Sequence, residues 1–170
     1  MRYSFDVLIV GSGLAGLTTA LHLADQRRVA LITKRALLDG ASDWAQGGIA
    51  AVLAPEDSIE AHVQDTLIAG AGLCDEAVTR HVVSHGREMI EWLLAQGVDF
   101  TRDANQATGY HLTREGGHSQ RRVIHAADAT GHAVQVALLA RIKNHPNITL
   151  LEQLIAIDLI TDAKLGRTGK

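Results

Sequence analysis

The sequence predicts an α/β fold organised on a parallel sheet. Three observations carry this: an apolar run of strand length at Asp6–Val10, a glycine-rich turn that opens an apolar helix directly after it, and a second apolar run at Arg28–Thr33. Strand, helix and strand within about thirty residues form a βαβ unit with a right-handed crossover. Strands without polar alternation suit a parallel sheet covered on both faces.

Taken in order, Leu14–Asp25 carries apolar and small residues at helical spacing. Lys34–Pro55 is rich in Gly and Ala, has no sustained period and reads as loop. Helices are expected over Ser58–Ala69 and Asp75–Gln96, the latter with Asp75 as N-cap and Gly97 as stop. Val98–Tyr110 reads as irregular with a short strand, Leu112–Gly117 as loop and Arg122–His125 as strand. Thr130 is expected to cap a helix running to about Asn144, ahead of Pro146. Ile148–Leu151 and Leu154–Ile160 read as two further strands. The end, Ala163–Lys170, is mostly polar, and the sheet is expected to continue in a longer protein.

Composition narrows the classes. The 170 residues are 46% hydrophobic, which suits one domain with a packed core. A net charge of −3 argues against a nucleic-acid-binding role. Val7–Ala24 is apolar but interrupted by three glycines, two threonines and His22, so neither a membrane span nor a signal peptide is expected. The single Cys74 excludes an internal disulfide, fits a reducing cytoplasm and is read as a small buried apolar residue. The nine histidines, including His111, His118 and His125, make no metal-ligand pattern.

Gly11-Ser12-Gly13-Leu14-Ala15-Gly16 fits G-x-G-x-x-G in the context that gives the pattern meaning, after a strand and at a helix start. Gly11 permits the tight turn, Gly13 lets backbone approach a pyrophosphate, and Gly16 lets helix and strand pack closely. The helix dipole and first-turn N–H groups favour the phosphate charge. An NAD-binding unit places an acid near the end of the second strand. Here Thr33-Lys34-Arg35 stands there, with no Asp or Glu between Val29 and Leu38. Lys34 suits a phosphate or the hydroxyls of another dinucleotide; a solvated basic pair is the plainer alternative. A second cluster, Ala41-Ser42-Asp43-Trp44-Ala45-Gln46-Gly47-Gly48-Ile49-Ala50, pairs glycines that let backbone lie against a flat ring. Gln46 offers donors and an acceptor to a ring edge. The apolar company of Trp44, Ile49, Ala50 and Val52 points to a buried loop.

Together, the glycine turn, Thr33-Lys34 and Ala45–Ala50 resemble the flavoprotein family of succinate dehydrogenase, fumarate reductase and L-aspartate oxidase. So do Tyr110-His-Leu-Thr-Arg-Glu-Gly-Gly-His-Ser119 and Arg121-Arg-Val-Ile-His-Ala-Ala-Asp-Ala-Thr-Gly131. The resemblance implies a Rossmann-like FAD-binding domain, with 1–170 its amino-terminal part and the capping and carboxy-terminal helical domains outside it.

Two positions choose within the family. Dicarboxylate members carry a flavin-linked histidine where this sequence has Ala41, which implies non-covalent FAD. They have an uncharged residue where this sequence has Glu115, and a carboxylate suits an ammonium group. Both point to the L-aspartate oxidase branch. The resemblance then implies FAD-dependent oxidation of L-aspartate to iminoaspartate, reoxidation by oxygen or fumarate, quinolinate and NAD biosynthesis, and quinolinate synthase as a partner. Glu115 would orient the substrate amine. The implied FAD-holding residues are Gly11, Ser12, Gly13, Leu14, Ala15, Gly16, Lys34, Ala41, Ser42, Asp43, Trp44, Ala45, Gln46, Gly47 and Gly48, and Leu154–Ile160 would pass near the adenine. The family's catalytic histidine and arginine residues lie beyond position 170, so no complete catalytic set is expected here. Arg121 and Arg122 are assigned equally to site charge or to structural ion pairs. A succinate or fumarate flavoprotein subunit, a non-catalytic FAD module and an NAD-dependent enzyme remain the alternatives.

Overall fold

The computed structural model describes Tyr3–Arg167, so Thr168–Lys170 of the polar end lie outside the described residues. The chain divides into two compact units, Met1–Gly40 with Ile142–Lys170, and Ala41–Arg141.

The first unit holds a parallel sheet of order β1-β2-β6, from β1 (Val7–Val10), β2 (Val29–Ile32) and β6 (Ile148–Leu151). Helix α1 (Leu14–Ala24) links β1 to β2, giving the βαβ unit that the apolar runs predict. Leu17, Ala20 and Ala24 bury one stripe of α1. β2, the central strand, is paired on both edges and buried at all four positions, so both of its faces are covered. β1 departs from the expectation of two covered faces: Leu8 is 58% exposed and Val10 64%. It stands at the edge of the sheet, and its alternate side chains face solvent.

The chain after β6 also differs from its sequence reading. Leu154–Ile160 forms no strand. Leu154 N–H still bonds the Thr33 carbonyl at 3.0 Å, but Gln153 adopts a φ of 59°, which takes the backbone out of the ladder. With no neighbouring strand among the described residues, Ile157 is 93% exposed.

The second unit contains an antiparallel sheet that the parallel-sheet expectation missed. Its order is β3-β5-β4, from β3 (Ile49–Ala50), β4 (Leu112–Thr113) and β5 (Val123–Ile124). β3 falls in the expected Lys34–Pro55 loop and β4 in the expected Leu112–Gly117 loop. Two residues are too few to show a period, so pairing made these strands. Helix α2 (Ile59–Ala69) starts at Ser58, whose side chain accepts from Ala61 N–H. The predicted Asp75–Gln96 helix is two: α3 (Glu76–Ser84), capped by Asp75, and α4 (Gly86–Gln96), which ends at left-handed Gly97. The break falls at His85, whose ψ is 0°, just before Gly86, a poor helix interior residue. α5 (Thr130–Lys143) begins at Thr130 as expected, and the Thr130 hydroxyl accepts from Ala126 N–H at 3.1 Å.

Candidate functional site

In the first unit the Gly11–Gly16 turn is built by backbone. Gly11 has φ 110°, a conformation that favours glycine, while its N–H extends the β1–β2 ladder to the Ile32 carbonyl at 2.8 Å. A Cβ on Gly16 would lie 2.1 Å from the Gly11 carbonyl oxygen, so the helix start and strand end meet in a way only glycine allows. Ser12 is buried; its hydroxyl donates to the Leu37 carbonyl at 2.9 Å and lies 3.3 Å from the Thr33 hydroxyl. These bonds join the turn to the end of β2. Lys34, the next residue, is exposed, and its ammonium has no hydrogen-bond partner among the described residues. Leu14 and Ala15 follow in the first turn of α1.

The N-terminus of α1 differs from those of α2 and α3. Gly13 at its N-cap provides no side-chain bond, and no acid stands in the first turn. By contrast, Ser58 and Asp75 cap α2 and α3, and Glu60 and Glu76 complement their dipoles. A helix start behind glycines, with no acid in its first turn, presents its dipole to an external anion. This chemistry fits a dinucleotide diphosphate.

The other predicted segments lie in the second unit. Ala41–Trp44 forms a 3-10 turn. Ala41, Trp44, Ala45, Gln46 and Gly47 are exposed, Trp44 by 78%, which corrects the expectation of a buried loop. Apolar side chains in this stretch have no protein cover among the described residues. The two glycines differ. A Cβ on Gly48 would lie 2.3 Å from the Ile124 carbonyl oxygen, so β5 accounts for it. No atom lies within 4 Å of a Cβ on Gly47, so packing leaves that position open. Gly131 supports the same loop: its N–H bonds the Ala45 carbonyl at 2.9 Å, and a Cβ there would meet the Ser42 oxygen at 2.0 Å. His132 Nδ1 lies 2.7 Å from Asp43 Oδ1, adding a side-chain tie.

The antiparallel sheet is assembled from the three later motifs. β3 ends the paired-glycine segment, β4 lies in Tyr110–Ser119 and β5 lies in Arg121–Gly131. β4 leads to Glu115, which is exposed and whose carboxylate has no partner among the described residues. The Glu115 carbonyl accepts from His118 N–H at 3.2 Å, and Gly117 has φ 83°. This turn therefore places Glu115 where an external cation can reach it.

Sequence reasoning missed what lies beneath that turn. Arg122 is fully buried, and its Nε and Nη2 each meet the Asp57 carboxylate at 2.8 Å, while Nη1 meets Asp65 at 2.5 Å. Ser119 donates N–H and hydroxyl to Asp65, both at 2.7 Å. The even choice for the arginine pair thus divides: Arg122 makes structural ion pairs, and exposed Arg121 donates to the Leu112 carbonyl at 3.3 Å. Burial opposes ionisation of Asp65, but the Ser119 donors and the Arg122 guanidinium outweigh it and bring its pKa down to about 2. Burial also works against the Arg122 charge, yet Asp57 and Asp65 raise its pKa above the ordinary value. His62, buried beside this cluster with its ring 5.6 Å from that of His118, is held below the usual histidine range by burial and then by Arg122. The doublet Arg121-Arg122 was the only local signal, because its partners lie 57 and 65 residues away.

An apolar cavity of about 640 Å³ lies elsewhere in this unit, lined by Ile49, His62, Cys74, Val78, Val82 and Met89 among others. It contains none of the predicted site residues, although Ile49 and Ala50, which follow the paired glycines, line it. Cys74 is half-buried on its wall rather than in the core, with Sγ 3.7 Å from the Thr66 carbonyl. Among the described residues no group of three His, Cys, Asp or Glu suits a metal ion, and no helix is long and apolar enough to cross a membrane.

A family model of FAD binding domains matches residues 6–169. The chain is similar to L-aspartate oxidase 1 of Ralstonia nicotianae, 69% identical over 98% of this chain and 31% of that protein. It is also similar to L-aspartate oxidase of Pseudomonas aeruginosa, 56% identical over 99% of this chain and 32% of that protein. Among solved structures, the FrdA chain of E. coli quinol fumarate reductase superposes with a TM-score of 0.84 at 30% identity, over 90% of this chain and 26% of that one. The chain therefore spans about a third of the length of the curated relatives it matches.

Proposed function

Because this chain belongs to the FAD binding domain family, we propose that it forms the diphosphate-holding and amine-recognising part of an FAD-dependent L-aspartate oxidase. The observation that carries the reading is Glu115: an accessible carboxylate without a partner among the described residues, at the tip of a fixed turn, in a chain whose curated relatives are L-aspartate oxidases.

In this reading the amides at the start of α1, behind Gly11 and Gly13, hold the diphosphate, and Lys34 meets the dinucleotide after β2. The loop Ala41–Gly48 holds the ring end through backbone and Gln46, with Gly47 leaving room for a flat surface. Ala41 offers no nucleophile, so the flavin is held non-covalently. Bound FAD supplies the acceptor for a hydride from the amino acid, leaving iminoaspartate. Glu115 pairs with the substrate ammonium and sets its orientation; this charge-assisted bond discriminates against dicarboxylates that lack an amine. In this reading the substrate carboxylates and the proton transfer are served by other parts of a longer protein, as the chain spans about a third of its relatives' length. The amino-terminal part of a longer cytoplasmic protein, electron transfer to oxygen or fumarate, and delivery of the imine to a quinolinate synthase all belong to the same proposal.

Glu115→Gln in the full-length flavoprotein tests it. The KM for L-aspartate is expected to rise by roughly tenfold or more, the loss of one charge-assisted bond, with flavin content unchanged. An unchanged KM overturns the role of Glu115. Acid precipitation is expected to release the flavin; colour kept in the pellet would favour a succinate or fumarate flavoprotein subunit instead. Purified 1–170 is expected to show no aspartate oxidation, and measurable turnover would contradict the proposed division of the site.

A further inference from the structure

The turn that presents Glu115 is tied upstream to the backbone of Arg122, at the end of the β4–β5 ladder, and downstream to the buried ion cluster that the Arg122 side chain makes. On the upstream side, Arg122 N–H bonds the carbonyl of Thr113, two residues before Glu115, at 3.2 Å. On the downstream side, Ser119 gives its N–H and its hydroxyl to Asp65 Oδ2, both at 2.7 Å. The same oxygen takes Arg122 Nη1 at 2.5 Å, while the other guanidinium nitrogens hold both oxygens of Asp57 at 2.8 Å. Arg114–His118 is thus a short excursion between two points fixed by a single arginine and its carboxylates.

We propose that Asp65, Ser119 and Arg122 act as positioning residues that set where the Glu115 carboxylate stands for the substrate's ammonium group. This deepens the oxidase reading and rests on it. Four physical reasons support the inference. A buried ion cluster contributes little stability beyond what apolar residues of similar volume would give, so its value lies in directional geometry. The planar guanidinium fork fixes direction as well as distance, which a lysine cannot do. Glu115 itself has no side-chain partner among the described residues, so its position derives from the backbone on either side of it. Small displacements of an orienting group are costly in a reaction that depends on alignment.

The test compares Ser119→Ala, Ser119→Thr and Glu115→Gln in the full-length holoprotein, with L-aspartate as donor and fumarate as acceptor. Ser119→Ala removes one hydroxyl and leaves the ion pairs and the backbone N–H bond, so the fold is retained; thermal unfolding and flavin absorbance check this. Its KM for L-aspartate is expected to rise about fivefold, as for one hydrogen bond of ordinary strength, while the KM for fumarate, which has no amine, stays unchanged. Ser119→Thr is expected to restore the aspartate value. In the Glu115→Gln background Ser119→Ala is expected to add nothing, because the group being positioned is gone. Equal shifts for aspartate and fumarate, additive shifts in the double variant, or a silent Ser119→Ala beside an impaired Glu115→Gln would each overturn the positioning role while leaving the oxidase reading intact. A silent Glu115→Gln would remove that reading and this inference with it.

Discussion

The turn at Gly11–Gly16 is set by its own glycines, whereas the turn at Glu115–His118, though closed by its own backbone, is tethered by side chains far away in the chain. In the first, Gly11 at φ 110° and the contact between Gly16 and the Gly11 carbonyl set the path within six residues. In the second, the anchoring bonds to Asp65 span 54 residues and those to Asp57 span 65. The first turn exposes backbone donors and suits an anion; the second exposes a carboxylate and suits a cation. A phosphate can be bound by generic amides at a helix start, which local sequence encodes well. An amine must be met by one carboxylate in one place, which requires support from the tertiary fold.

Four experiments test this contrast. The largest effect is expected from Arg122→Met, which leaves two carboxylates without their shared counter-charge. It should cost about 3–5 kcal/mol in thermal or denaturant unfolding, as for one partner removed from a buried pair; a loss below about 1 kcal/mol, typical of exposed pairs, would show that the second turn does not depend on the cluster. Gly13→Asp comes next. At φ −72° and ψ 174° the backbone there suits any residue, and the new carboxylate would occupy the anion end of α1; thermal unfolding checks that the fold is kept. Flavin retention should fall by about tenfold or more, the scale of a like-charge contact near 1.4 kcal/mol, and undiminished flavin absorbance would remove the diphosphate from this turn.

A pH titration is the third. The Asp65 carboxyl is depressed to about 2 in the folded chain against an ordinary value of 3.8. A depressed carboxyl contributes stability that is fully present above its unfolded pKa and is lost as the pH falls through the folded value. Stability should therefore decline between about pH 4 and about pH 2, and Asp65→Asn should flatten that decline in an acid-unfolding series monitored by circular dichroism. The smallest effect is expected from Ser58→Ala, which removes the α2 cap at a cost of about 1 kcal/mol. Flavin content should not change, in contrast to Gly13→Asp; a matching loss of flavin would show that helix starts in this protein do not divide into self-capped and anion-holding types.

Legibility followed the range of the interactions. The βαβ unit was readable because β1, α1 and β2 are adjacent in sequence and each is long enough to show a pattern. The cap at Asp75 was readable for the same reason, whereas Ser58 was read as the first residue of its helix and the structure shows it as the cap. The strands β3, β4 and β5 were not all readable, since each has two residues and exists through pairing with the others. Leu154–Ile160 shows the converse error: its apolar content suits a strand, but a strand needs a neighbour, and the turn at Gln153 leaves it without one among the described residues. Trp44 is a similar case, apolar in composition yet exposed.

By itself the sequence determined the glycine turn, the helix that opens from it and the chemical character of Glu115, because backbone conformation and side-chain charge are properties of a few neighbouring residues. Only the tertiary structure decided that Arg122 lies in the core between Asp57 and Asp65, and that it holds the two flanks of the Glu115 turn. An arginine is stable in a buried place only where opposite charges converge on it, and that convergence depends on a fold that brings distant residues together.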